Sequence, residues 1–245
     1  MYKVIITAGG TSEKIDNVRK ITNSSSGKLG SVIASRLLGK YGEKIERVYY
    51  ICSKTAIRPL GDKVEVVEVF DTADLEREVK RLLTENNIDY FIHSMAVSDY
   101  AVDYVTTAER LAETIEEVVS NTLDVINNFD GVITDNKISS NLDNLIIKLK
   151  RTPKIISMIK AISPKTYLVG FKLLDGVSEV ELLNTAIKLK EKNDCDLVVA
   201  NDLDYIRKGE HRAFVAKGVD DYVVASGKED IADKVIEEMM RNERV

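Results

Sequence analysis

The stretch VIITAGGT, residues 4–11, sets the fold of this 245-residue chain. Residues 4–8 form a short apolar run that is typical of a buried parallel strand, and the run leads directly into Gly9 and Gly10. In open parallel sheets, ligands bind beyond the carboxyl ends of the strands. The two glycines at this strand end therefore indicate both a fold class and the place where a site is expected.

Strands and helices alternate along most of the chain after this strand. Further strands are predicted at 47–52, 64–70, 90–97, 145–150, 167–172 and 197–200. Helices are predicted at 26–40, 73–86, 153–162, 177–192 and 229–241, and residues 212–217 and 222–225 resemble a hairpin. The order predicts an α/β fold: a Rossmann-like, doubly wound, mostly parallel sheet with a helical insertion and a C-terminal hairpin.

The segment from 106 to 128 is acidic and helical in pattern. We interpret residues of about 103–131 as a helical insertion within a single domain that spans 1–245. Asp71 or Thr72 is expected to cap the helix at 73–86.

The composition excludes several classes of protein. A net charge of −5 without a basic stripe argues against nucleic-acid binding. No apolar run has the length of a membrane span, and the N-terminus lacks the pattern of a signal peptide, so a cytoplasmic enzyme or binding protein is expected. Cys52 and Cys195 lie in apolar runs and are predicted to be buried thiols; no Cys/His spacing predicts protein ligands for a metal.

The loop after the first strand is rich in groups that bind anions. Gly9 and Gly10 can adopt positive φ and leave space for a ligand close to the backbone. Residues 22–27 (TNSSSG) lead into a helix whose free N–H groups favour an anion. The glycine spacing fits neither the GxGxxG motif nor a Walker A loop. From the residues alone, an anion-binding loop and a flexible loop with Ser26 as an ordinary helix cap both stay open.

Polar residues at later strand ends also have two interpretations each. Asp99 follows an apolar run and suits ribose hydroxyls or a metal ion, or it is an ordinary turn aspartate. Thr152 and Pro153 are typical of the start of a helix. Their role is either purely structural or to form a phosphate-binding helix N-terminus. Lys188 and Lys192 share one helix face, where they could hold a triphosphate or simply face solvent.

These segments occur together in an order that is similar to that of a known family. The segments are TAGGT (7–11), ITNSSSGKLG (21–30), MAVSDY (95–100), NKIS (136–139), RTPKI (151–155), VGFK (169–172) and DLVVANDL (196–203). The chain resembles the phosphopantothenoylcysteine synthetases (phosphopantothenate–cysteine ligases) in their free-standing bacterial form. The resemblance implies that 4'-phosphopantothenate is joined to cysteine in coenzyme A biosynthesis. It implies CTP or ATP as co-substrate, an acyl-cytidylate intermediate, release of pyrophosphate and CMP, Mg²⁺, and a homodimer.

The same resemblance assigns roles to individual residues. Asn23 would orient the acyl-nucleotide, and Lys137 would contact the nucleotide and the reacting phosphate, which makes these two the expected catalytic residues. The expected nucleotide-binding residues are Asp99, Thr152, Pro153, Lys154, Ile155, Phe171, Lys188 and Lys192. The expected substrate-binding residues are Gly9, Gly10, Thr11, Ser25, Ser26 and Gly27.

The chain departs from the family pattern at two of these segments. Lys137 is followed by Ile-Ser-Ser instead of further lysines, and Phe171 is followed by Lys-Leu-Leu-Asp. Two other classes of protein stay open. One is a short-chain-type nicotinamide-dependent oxidoreductase, although its glycine motif is absent. The other is a non-catalytic nucleotide- or flavin-binding module, which would need neither Asn23 nor Lys137.

Overall fold

The computed structural model describes residues 1–117, 121–131, 133 and 136–241. The strands are β1 Tyr2–Ala8, β2 Ser12–Lys14, β3 Lys20–Thr22, β4 Ile45–Cys52, β5 Val64–Glu68, β6 Tyr90–His93, β7 Tyr100–Thr107, β8 Leu145–Arg151, β9 Tyr167–Leu174, β10 Leu197–Asp202, β11 Arg212–Ala216 and β12 Tyr222–Ser226. The helices are α1 Lys28–Tyr41, α2 Thr72–Glu85, α3 Ala108–Glu117, α4 Thr122–Asn127, α5 Ile155–Ile162, α6 Glu179–Lys192, α7 Leu203–Arg207 and α8 Lys228–Arg241.

The central sheet has the strand order β5-β4-β1-β6-β9-β10-β11-β12. Its strands from β5 to β10 are parallel, whereas β11 and β12 are antiparallel and form the C-terminal hairpin. The chain builds outward from β1 to β5, then returns and builds in the other direction from β6. The strand order therefore reverses between β1 and β6, which is the ligand-binding position in folds of this type. The predicted fold class is confirmed.

Helices cover both faces of the sheet because alternate residues of the buried strands are apolar on both sides. Val4 and Ile6 of β1 belong to a core packed against α1 and α8. Ile5, between them, belongs to a second core formed with α2 and α5. A third core lies between α6 and the strands β10 and β11. The sheet is thus held rigidly below the carboxyl ends of its strands.

The insertion contains a strand that the sequence analysis did not predict. β7 and β8 pair antiparallel in a separate two-stranded sheet, with Tyr100 opposite Arg151 and Thr107 opposite Leu145. The predicted strand at 145–150 is present, but it lies outside the central sheet. The helical interpretation of about 103–131 is wrong for 103–107, where valine, tyrosine and threonine favour a strand. Residues 118–120 of the predicted helix lie outside the described residues.

Two predicted helix starts are also wrong. The helix expected from 26 begins at Lys28, and its N-cap is Gly27 in the left-handed region (φ 68°), not Ser26. The helix expected from 153 begins at Ile155, because the Thr152 hydroxyl donates to the Ser98 carbonyl (2.6 Å) instead of capping the helix. Of the two caps considered for α2, Asp71 is correct: its carboxylate accepts from Asp74 N–H (2.8 Å).

The loop predicted after β1 contains a short hairpin, in which β2 pairs with β3. Cys52 and Cys195 are buried free thiols, as predicted, and burial raises the pKa of Cys195 to about 12. Within the described part of the chain, no helix combines the length and apolar character needed to cross a membrane.

His93 is the last residue of β6 and is buried in the middle of the sheet. Its Nδ1 lies 2.9 Å from the hydroxyl of Thr7, the residue beside it on β1. Burial lowers the pKa of His93 to about 4, because desolvation penalises the imidazolium. The folded protein therefore holds this ring neutral at pH values where the unfolded chain would protonate it.

We predict that the free energy of unfolding falls as the pH is lowered from about 6.5 to about 4, because only the unfolded chain binds a proton at His93 in that window. The expected loss between pH 7 and pH 4.8 is about 2 kcal/mol, measured by urea unfolding. His93→Gln should remove most of this pH dependence. His211→Gln is the comparison: partial burial and Lys228 also lower the pKa of this histidine, so that variant should lose only a smaller part of the pH dependence. An unchanged slope in the His93 variant would contradict the prediction.

Candidate functional site

Gly9 and Gly10 allow two neighbouring segments to approach the end of β1. Gly9 has φ +85°, and a Cβ there would lie 2.4 Å from Ser53 Oγ. A Cβ on Gly10 would lie 1.7 Å from the carbonyl oxygen of Asn23. A larger residue at Gly10 would displace the Asn23 backbone, and one at Gly9 would be strained by the positive φ and would push against the Ser53 side chain. The glycines thus make room for other parts of this chain.

Asn23 is held at the point where the strand order reverses. Its backbone N–H donates to the Thr11 carbonyl (3.1 Å), and its side-chain Nδ2 donates to the Val97 carbonyl (3.0 Å). Thr11 N–H in turn donates to the Ala96 carbonyl (3.1 Å). Within the described residues, these bonds leave Oδ1 and the second amide proton of Asn23 available to a ligand. Asn23 is therefore held by the segments that follow β1 and β6.

Thr11 has a structural role in this arrangement. Its side chain is fully buried, and its Oγ1 accepts from the backbone N–H of Ser98 (2.8 Å). Ser25 and Ser26 are exposed and lie just before α1, whereas Gly27 is buried against the backbone nitrogen of Gly9. The first turn of α1, with its free backbone N–H groups, therefore lies close to the end of β1.

A cleft of about 410 Å³ opens beside Asn23. Hydroxyl groups, two lysines and one aromatic ring dominate its walls. The lining residues are Gly10, Ser12, Lys20, Thr22, Asn23, Ser24, Ser25, Ser26, Ser53, Lys54, Thr55, Val69 and Phe70. Four of the predicted site residues, Gly10, Asn23, Ser25 and Ser26, therefore share one cleft.

A second group of predicted residues lies beyond β6. Thr152 N–H donates to the Asp99 carbonyl (3.1 Å), and the Lys154 ammonium forms an ion pair with the Asp99 carboxylate. Both charged side chains are more than 60% exposed, so the ion pair is a weak interaction that a ligand can replace. Ser98 connects this group to Thr11, and the structure therefore brings Asp99, Thr152 and Lys154 into contact with the Asn23 segment.

Three further predicted residues contribute in different ways. The Ile155 side chain is buried against α2, so only its backbone can face a ligand. Pro153 lies between Thr152 and the start of α5. Phe171 is half-buried on β9, one residue beyond Gly170, which pairs with the last residue of β6. It therefore lies at the edge of the sheet where the site is expected.

Lys137 lies apart from Asn23 in this chain. The residues on both sides of it bind the tip of the β2–β3 hairpin: Asn136 O accepts from Asn17 N–H (2.9 Å), and Ile138 N–H donates to the Asp16 carboxylate (3.1 Å). The Arg19 guanidinium lowers the pKa of Asp16 well below its usual range. The hairpin tip is roughly 10–15 Å from its base beside Asn23. Lys137 itself is exposed.

Lys188 and Lys192 are not near the cleft either. They are exposed near the end of α6, which has 14 residues and is about 21 Å long. The helix begins after the carboxyl end of β9 and ends before the amino end of β10, so its last turn lies at the opposite edge of the sheet. Within one chain, these two lysines do not face the group formed by Asn23 and Asp99.

Several residues that line the cleft were not predicted from the sequence. Ser53, Lys54 and Thr55 directly follow β4, so the rule about strand ends would have found them. Phe70 ends the strand predicted at 64–70, so the same rule points to it. Lys20 gave no such signal, because the β2–β3 hairpin that turns it toward Phe70 was interpreted as a loop.

Asp202, at the end of β10, has a structural role. The backbone N–H of Gly176 lowers its pKa, and the N–H groups of Asp204 and Val177 act in the same direction. Its carboxylate thereby closes the turn before α6 and caps α7. Within the described residues, no cluster of three or more histidines, cysteines or carboxylates could hold a metal ion.

The strand order and the cleft define a Rossmann-like domain whose candidate ligand site lies at the carboxyl ends of β1, β4 and β5, beside the switch point of the sheet. The sequence model of the DNA/pantothenate metabolism flavoprotein C-terminal domain matches residues 1–132 and 105–242, and this chain belongs to that family. The resemblance found in the sequence is thus confirmed at the level of the family.

Known relatives agree with this assignment. The coenzyme A biosynthesis bifunctional protein CoaBC of Thermococcus kodakarensis is 33% identical over 201 residues, which are 82% of this chain and 41% of that protein. The chain spans about half the length of the curated relatives it matches. A DNA/pantothenate metabolism flavoprotein from Streptococcus pneumoniae has a TM-score of 0.84 and 36% identity, and the match covers 98% of this chain and 99% of that one.

A more distant solved structure shares the fold. It is a Cab2 mutant in complex with phosphopantothenate-cysteine, with a TM-score of 0.67 and 17% identity; the match covers 100% of this chain and 89% of that one.

We predict that Gly10→Ala destabilises the protein by at least ~2 kcal/mol, because the new Cβ would overlap the Asn23 carbonyl and force the hairpin away from β1. Gly39→Ala is the matched control: it lies within α1 with nothing near its added Cβ, and it should stabilise by about 0.5–1 kcal/mol. Urea unfolding measures both. Equal stability of the two variants would show that the close contact at Gly10 is unimportant.

Proposed function

We propose that this chain is a ligase that joins 4'-phosphopantothenate to cysteine, with CTP or ATP as the energy source. The observation that carries the proposal is the Asn23 amide, held at the switch point by Val97 and Thr11 beside the cleft. The family assignment and the similarity to CoaBC proteins support it. The fold is also that of a protein solved with phosphopantothenate-cysteine, which is the product expected of such a ligase.

The first half of the proposed reaction activates the acid. A carboxylate oxygen of 4'-phosphopantothenate attacks the α-phosphorus of the nucleotide, the bond to the β-phosphate breaks, and pyrophosphate leaves. An acyl-nucleotide results. The free Oδ1 and amide proton of Asn23 suit this intermediate, since an amide offers both an acceptor and a donor. Lys137 would neutralise charge on the reacting phosphate.

The second half forms the amide bond. The cysteine amine attacks the acyl carbon, the bond from that carbon to the phosphate oxygen breaks, and the nucleoside monophosphate leaves while the amine gives up a proton. Asn23 would hold the acyl phosphate in one orientation during this attack. A bound intermediate of this kind needs protection from water, which the cleft beside Asn23 would give on one side.

The nucleotide is proposed to lie toward Asp99, Thr152 and Phe171, which share the carboxyl edge of the sheet with Asn23. Asp99 is suited to ribose hydroxyls once its ion pair with Lys154 opens, and Lys154 is then free to approach a phosphate. Mg²⁺ would neutralise the triphosphate. We expect the ion to be held mainly by phosphate oxygens, which are the usual ligands of Mg²⁺ in nucleotide sites.

A homodimer is part of the proposal. Lys137, Lys188 and Lys192 are exposed and lie away from Asn23 in this chain. A second copy could place such lysines against the nucleotide of its neighbour, and we expect sedimentation analysis to give a dimer.

The activity is tested with a panel of nucleotides. Pyrophosphate release should require both a nucleotide, CTP or ATP, and 4'-phosphopantothenate, whereas release of the monophosphate should require cysteine as well. No pyrophosphate release with any nucleotide would refute the proposal. Tight binding of NADPH without pyrophosphate release would favour the nicotinamide-dependent alternative, and nucleotide binding without turnover would favour the binding module.

We predict that Asn23→Ala lowers kcat by about 100-fold or more while the fold persists, because the amide acts on the acyl phosphate. Single-turnover experiments should show little acyl-nucleotide or its failure to react with cysteine. Asn184→Ala, an exposed asparagine on α6, is the control and should keep full activity. Wild-type turnover by the Asn23 variant would remove this residue from the mechanism.

Lys137→Ala should abolish the burst of pyrophosphate in a single turnover and leave the unfolding transition unchanged. The burst should be lost because the charge on the reacting phosphate would no longer be neutralised. The stability should be unchanged because Lys137 is exposed, and its neighbours Asn136 and Ile138 hold the segment through backbone bonds that the variant keeps. Lys137→Arg, which keeps the charge, should restore part of the burst. A normal burst in the alanine variant would show that another residue neutralises the charge on the reacting phosphate.

A further inference from the structure

The hairpin of β2 and β3 presents two lysines on one face. Ser12 lies opposite Thr22, and Lys14 lies opposite Lys20. Residues two apart on a strand share a face, so both pairs point the same way; Ser12 Oγ and Thr22 Oγ1 are 2.9 Å apart. Like charges directly opposite each other on paired strands repel and destabilise the pair. This repulsion would be relieved by an anion bound between them.

Both lysines turn toward the aromatic ring of Phe70. Lys14 Nζ lies 5.3 Å and Lys20 Nζ 5.4 Å from the centre of its ring. The backbone of Phe70 is held in place, since Phe70 O accepts from Ser12 N–H (2.9 Å) and Phe70 N–H donates to the Asp74 carboxylate (3.3 Å). The attraction between an ammonium and an aromatic face thus gathers two positive charges at one end of the cleft.

Lys54 supplies a third positive charge, from the loop after β4. It lines the cleft together with Lys20, Ser53 and Thr55. The neighbouring carboxylates have other partners: Glu68 pairs with Arg58, and Glu13 accepts from the Thr72 N–H and hydroxyl.

Within the described residues, no carboxylate forms an ion pair with Lys14, Lys20 or Lys54. The cleft therefore combines positive charge that no carboxylate pairs with and hydroxyl donors, the combination that binds a phosphate group.

We propose that Lys14, Lys20 and Lys54 form a phosphate subsite at the Phe70 end of the cleft. The inference rests on the proposed function and names the group that this part of the site takes. The phosphate is either the monoester of the acid substrate or part of the nucleotide's polyphosphate. Lys20 and Lys54 line the cleft from opposite segments and bind the phosphate oxygens, while Lys14 adds charge from beside the ring.

The test measures equilibrium binding, so it does not depend on turnover. Isothermal titration of wild type, Lys20→Met and Lys54→Met uses inorganic pyrophosphate, 4'-phosphopantothenate, pantothenate and CTP. Pyrophosphate affinity should fall about 5- to 10-fold in each variant, in line with the loss of one charge-assisted contact. Lys20→Arg should retain most of the affinity. Lys80→Met, on the exposed face of α2, is the matched control and should bind like wild type.

The organic ligands identify the source of the phosphate. Weaker binding of 4'-phosphopantothenate with unchanged binding of pantothenate assigns the subsite to the acid substrate. Weaker binding of CTP alone assigns it to the nucleotide. Unchanged affinity for every phosphate ligand in both variants, or no binding of these ligands to wild type, overturns the subsite. If the subsite is correct but the ligase proposal is wrong, pyrophosphate binding still depends on Lys20 while no pyrophosphate release is observed.

Discussion

The contact between Gly10 and the Asn23 carbonyl is the constraint on which the rest of the site depends. The chain leaves β1 at Gly10, forms the β2–β3 hairpin, and returns so closely that no side chain fits between the two segments. The bonds from Thr11 to Ala96 and from Asn23 to Val97 then join this return point to the segment after β6. One side chain, Asn23, is thereby fixed between the two strands where the sheet order reverses.

The same contact bears on the nicotinamide-dependent alternative. In dinucleotide-binding folds with this strand order, glycines after the first strand leave room for the pyrophosphate of the cofactor. Here the room above Gly10 is filled by the backbone of Asn23, and the room beside Gly9 by Ser53. A shared strand order therefore does not imply a shared ligand, because the glycines serve a contact within the chain.

The central sheet could be predicted from the sequence because its strands are buried runs that alternate with amphipathic helices. The elements that were missed are stabilised by distant partners. β7 is a strand because it pairs with β8, which begins at Leu145, 38 residues after β7 ends at Thr107. Thr152 stands where the sequence predicts a helix cap, yet its hydroxyl donates to the Ser98 carbonyl. Family motifs pointed to Asn23 and Asp99, whereas Lys20 reaches the cleft only through the hairpin and carries no motif.

The contacts on the Asp99 side divide into fixed and exchangeable ones. The bonds from Ser98 to Thr11 and from Thr152 to Ser98 involve backbone groups and two largely buried side chains, so breaking them would expose unsatisfied polar groups. The Asp99–Lys154 ion pair is exposed on both sides and contributes little to stability. A ligand can therefore separate these two charges and use each one, while the backbone that positions them stays in place.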